Sequence, residues 1–152
     1  MNRRIALTLV GAVLALTATA TPAAAANPRV VLSGLGSYTI TGSSAAYEAD
    51  VYGRPYSGPA TGQVDLADKP FPSPGNCEAA TATLRVTDDR GRAYALMATG
   101  QVCGEYLPLG VMQWFRGRYA ITSASQRGLV GTVGHLDLRL LNGEVSVYAI
   151  QS

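Results

Sequence analysis

A chain of 152 residues, 47% apolar and 14% charged, is long enough to bury one core and carries little charge to oppose it. Its formal net charge of +2 includes Arg3 and Arg4; without them ten basic residues face ten acidic ones. That balance, with no basic run, argues against nucleic acid as a partner and against attachment to anionic lipid.

In chain order, the first element is an export signal. Arg3 and Arg4 precede an apolar run from Ile5 to Leu16, and Pro22 precedes the small residues Ala23 to Ala26. A charged region, an apolar region and an Ala-x-Ala cleavage site in that order read as a cleaved secretory signal peptide over residues 1–26. The apolar run is shorter than the roughly twenty residues that span a bilayer, so no stable membrane anchor is expected after cleavage. The adjacent arginines also hint at twin-arginine export, with general secretion favoured. The expected product is one secreted, extracellular β domain over 27–152.

Its first strands are short. Gly36 to Gly42 reads as one; in the next, Tyr47, Ala49 and Val51 alternate with Glu48, Asp50 and Tyr52. Gly53-Arg54-Pro55-Tyr56 marks a turn, and Gly62 to Leu66 a further strand. Asp68 to Asn76 holds Pro70, Pro72 and Pro74 around Phe71 and predicts a stiff, extended loop.

A long hairpin follows. Ala80, Ala82, Leu84 and Val86 share one face of a strand, and Asp89-Arg90-Gly91 suits a three-residue loop with Gly91 in the left-handed position. That loop sets Leu84 opposite Leu96, Val86 opposite Tyr94 and Ala82 opposite Ala98, all on the apolar face. The same register sets Cys77 opposite Cys103, within disulfide reach. Two cysteines in an exported chain are expected to pair.

Gly104 to Phe115, with Tyr106, Leu107, Leu109, Val111, Met112 and Trp114, is expected to plug one end of the barrel, with rimming a cavity or forming a docking patch as the alternatives. Arg118 to Ser123 reads as a strand. Gly128 to Leu141 reads as one long strand bent at Gly131 and Gly134. Asn142-Gly143 then predicts a two-residue hairpin turn in which Leu140, Leu138 and Leu136 face Val145, Val147 and Ala149. The other face carries His135, Asp137 and Arg139, with Asp137 opposite Tyr148.

Seven or eight consecutive strands with short turns predict an all-β fold: a single antiparallel barrel, with a β-sandwich as the alternative. The segment Phe115-Arg116-Gly117-Arg118-Tyr119, followed by Ser125, Gly128-Leu129 and Gly131, resembles the glycine-punctuated strands of allene oxide cyclase and dirigent-like barrels. The resemblance covers about twenty residues, lacks the second glycine after Tyr119-Ala120, and implies a small antiparallel barrel without carrying over any active-site residue. The chain also resembles small, secreted, single-disulfide bacterial β-proteins of unknown function.

Catalytic signals are sparse. There is no G-x-S-x-G elbow, no zinc-spaced Cys/His cluster and no phosphate-binding glycine loop, so neither a cofactor nor a metal is expected. The leading expectation is a non-catalytic binding protein for a small apolar ligand held in the barrel or for a protein partner. Candidate binding residues are His135, Asp137, Arg139, Tyr148, Phe71, Tyr106 and Trp114. Two alternatives are an extracellular protease inhibitor using the proline-rich loop 69–75, and a small hydrolase or isomerase using His135 with Asp137 or Tyr148.

Overall fold

Alternating apolar and polar residues dictate strands along most of the chain, and the computed structural model, which describes residues 29–152, closes them into one antiparallel barrel of eight. The signal peptide read at 1–26 lies outside the described residues. The strands are β1 (Val31–Thr41), β2 (Ser44–Arg54), β3 (Gly58–Asp65), β4 (Cys77–Thr87), β5 (Ala93–Leu107), β6 (Gly110–Ala124), β7 (Val133–Leu141) and β8 (Glu144–Gln151). Each pairs with the next. β1 also pairs with β8, with Ser33 facing Tyr148 and Leu35 facing Ser146. Closure gives every strand a partner on both sides, so the barrel has no edge strand and the sandwich does not form, although some strand ends run past one neighbour.

Both predicted hairpin registers are present. Leu84 faces Leu96, Val86 faces Tyr94, and Cys77 faces Cys103 at a Cα separation of 4.0 Å, joined by a disulfide. Gly91 takes φ +75° in the connecting loop. Leu136, Leu138 and Leu140 face Ala149, Val147 and Val145 across a turn in which Asn142 and Gly143 both have positive φ.

Two segments differ from expectation. Residues 104–115 are not a plug but the outer part of the β5–β6 hairpin, turning at Pro108-Leu109. Pairs such as Tyr106 with Val111 and Glu105 with Met112 extend the ladder past the disulfide, so the hairpin overhangs the barrel. Gly128 to Thr132 is not strand: Gly128 and Gly131 take φ of +81° and +85° in a turn, and β7 begins at Val133. The irregularity in the ladder lies instead on β5–β6, where Ala95 faces Ser123 but Leu96 faces Ile121.

The inward faces fill the barrel. Leu32, Leu84, Leu96, Ile121, Leu136 and Leu138 are essentially inaccessible, as are the rings of Tyr47, Tyr94, Phe115 and Tyr119. Alanines and glycines on neighbouring strands make room for them, the small–large alternation that lets eight strands close around side chains alone. Leu129 is buried from the β6–β7 turn. At the end where β3 joins β4, Leu66 is buried and Phe71 packs against the core. The proline loop is anchored there by Gln113, whose amide donates to the Pro72 carbonyl at 2.9 Å, and by a bridge between Pro74 and Gly104.

Candidate functional site

With the lumen occupied by side chains, concavity is found on the outer wall. A groove of about 700 Å³ crosses β7, β8, β1 and β2. Its position follows from the register. Asp137, Tyr148, Ser33 and Tyr52 form one cross-strand row; Arg139, Ser146, Leu35 and Asp50 form the next. The small side chains Ser33 and Ser146 make a low floor. Tyr52, Tyr148 and Leu35 stand around it, 70%, 44% and 72% exposed. None of the three contributes to the core cluster.

The charges in the groove are of two kinds. Asp137 is engaged: Arg116 Nε donates to its carboxylate at 2.9 Å. Asp50 and Arg139 take part in none of the ion pairs found among the described residues. A carboxylate that only accepts and a guanidinium that only donates therefore sit in one row, with Ser146 and Leu35 between them.

A second hollow of about 470 Å³ adjoins the first and shares Asp137 and Arg139 with it. Glu105, Leu107, Met112, Trp114 and Arg116 are among its other lining residues. The Arg116 guanidinium lies 5.3 Å from the Trp114 ring centroid, so one arginine holds both the ion pair and the aromatic side.

Four of the expected residues, Asp137, Arg139, Tyr148 and Trp114, thus line one continuous outer surface. The other three lie apart. His135 is exposed on β7, facing Arg118 and Ile150, and borders a shallower hollow with Glu78 and Gln101. Tyr106 is 76% exposed at the overhanging hairpin. Phe71 is half-buried against the core rather than presented by its loop.

The residues missed are Ser33, Leu35, Asp50 and Tyr52. Tyr52 gave a signal, an aromatic on a polar strand face. Joining it to Tyr148 requires the β1–β8 pairing that closes the barrel.

Among the described residues no three His, Cys, Asp or Glu side chains are grouped to hold a metal ion. The shifted phenols are structural. Burial pushes Tyr119 up to about 12 and Tyr47 and Tyr94 higher still, so all three stay protonated inside the barrel.

Against known proteins, no family model matches this chain, and no curated protein or solved structure is detectably similar to it.

Proposed function

We propose that this chain is an exported, non-catalytic binding protein whose ligand lies on the outer wall of the barrel, in the groove between β7 and β2. One observation carries the reading. Tyr52, Tyr148 and Leu35 expose large apolar surface around a concave floor while packing against nothing in the core. The disulfide accords with an oxidising compartment and with the export signal read in the sequence. A ligand inside the barrel is disfavoured because the inward side chains already fill it.

The test is a fragment screen read by amide chemical shifts of the secreted, oxidised protein. Small rigid molecules should perturb residues 33–35, 50–52, 137–139 and 146–148 more than any other surface. Perturbations clustered around inward residues, or scattered with no preferred site, would overturn the reading.

A further inference from the structure

We infer that the groove between β7 and β2 accepts a neutral, extended glycan, lying across the strands with sugar rings against Tyr148 and Tyr52. The inference rests on the groove being the binding surface and adds the chemical class of its ligand.

Four features select that class. First, Tyr148 and Tyr52 both face Ser33 from opposite sides, so the two phenols are set two strand spacings apart, ~10 Å, with a small residue between them. Two aromatic platforms separated by a low floor fit alternate rings of an extended pyranose chain, whose C–H faces are drawn to the negative faces of aromatic rings. Second, a sugar hydroxyl both donates and accepts. Asp50 offers only acceptors, Arg139 only donors, and both are free of ion pairs among the described residues. The Ser33 and Ser146 hydroxyls on the floor do either.

Third, the commonest way for a sheet to take an extended peptide is to add it to an edge strand, and the closed barrel has no edge strand; the rows that line the groove lie mid-wall. Fourth, small apolar ligands need a site that buries most of their surface. A groove whose walls stay 70% exposed at Tyr52 and 72% at Leu35 does not enclose one. The near-balance of charge without Arg3 and Arg4 disfavours a strongly anionic polymer.

The experiment is native affinity electrophoresis of the secreted, oxidised protein through gels containing hydroxyethylcellulose, glycol chitin, xylan or mannan. Retardation is expected in at least one. Tyr52→Ala and Tyr148→Ala should each weaken it at least tenfold, and Ser33→Trp, which fills the floor without removing a wall, should do the same. Tyr106→Ala, outside the groove, should migrate as the parent. Melting curves establish that each variant is folded.

Failure of all four glycans to retard the protein overturns the glycan inference. So does retardation that survives Tyr52→Ala, Tyr148→Ala and Ser33→Trp. In either case a fragment map still centred on the groove leaves the broader binding reading standing with a different ligand. A map without that centre removes both.

Discussion

Tyr47 lies across from Gly62, its partner in the β2–β3 ladder, and its phenol occupies the space a side chain on Gly62 would need. The relation recurs at Tyr119 and Gly134, paired between β6 and β7, where a Cβ would come 2.6 Å from the phenol. An aromatic ring laid over a cross-strand glycine lets the wall curl tightly while restoring the apolar cover the glycine lacks. Gly62→Ala and Gly134→Ala should therefore each lower stability by about 1–3 kcal/mol, as overpacking does. Denaturant titration measures this. In the double variant Tyr47→Leu/Gly62→Ala the loss should fall short of the sum of the two single variants only by the ring's share of the crowding, because a Cβ on Gly62 also meets the Thr83 backbone carbonyl, which stays in place.

The three interior phenols should respond differently to loss of the hydroxyl. Tyr47 donates to the Thr83 carbonyl at 2.6 Å, whereas the buried hydroxyls of Tyr94 and Tyr119 have no partner among the described residues. Tyr47→Phe should lower stability by about 1 kcal/mol. Tyr94→Phe and Tyr119→Phe should be neutral or stabilising, since each removes a buried, unpaired polar group. A marked loss in either of these two, measured by the same titration, would show that its hydroxyl has a role the contacts do not reveal.

The disulfide closes the β4–β5 hairpin over a sequence separation of 26. In the chain-entropy picture a loop of this length contributes roughly 3–4 kcal/mol. The double variant Cys77→Ala/Cys103→Ala should unfold at correspondingly lower urea concentration. Its ¹⁵N spectrum should keep the Leu84–Leu96 and Val86–Tyr94 neighbourhoods, because the loop at Gly91 and the apolar pairs specify the same register without the bond.

Asp88 supplies a pH dependence. Desolvation raises its pKa, but hydrogen bonds from the Arg92 side chain and from the Arg92 and Arg90 amides outweigh it, with the Arg92 charge adding to them. The net result is a carboxyl held below its ordinary value. Because the folded pKa is depressed, the contribution is fully present above the unfolded carboxyl range, ~4, and is lost as pH falls through the folded pKa. Asp88→Asn should be less stable than the parent at neutral pH. The gap should close on acidification below that range; a gap independent of pH would assign the difference to loop geometry alone.

Local patterns made much of this barrel readable. Asp89-Arg90-Gly91 and Asn142-Gly143 each set a turn, and each turn set which Leu, Val and Ala residues met, including Cys77 with Cys103. The β5–β6 hairpin was harder to see. Pro108 and Gly110 punctuate it like a loop, and its apolar residues occur on both faces because the hairpin runs beyond the barrel's end. Gly128–Thr132 read as the start of a long strand bent at glycine, but left-handed Gly128 and Gly131 turn the chain instead. The groove was half legible. Asp137, Arg139 and Tyr148 share a hairpin whose register follows from Asn142-Gly143. Ser33, Leu35, Asp50 and Tyr52 join them only through closure of β1 on β8, a pairing between opposite ends of the domain that no local pattern encodes.

The central claim is that ligand recognition occurs outside a filled barrel. It is tested most directly by the methyl resonances of Leu32, Leu84, Leu96, Leu136 and Leu138, all buried inside, recorded with that of Leu35 in the groove. The oxidised protein would be titrated with the best groove fragment and, separately, with a medium-chain fatty acid. The account predicts a saturable shift at Leu35 with the fragment and unmoved interior methyls with both. Saturable shifts at the interior leucines would place a ligand in the lumen and contradict it.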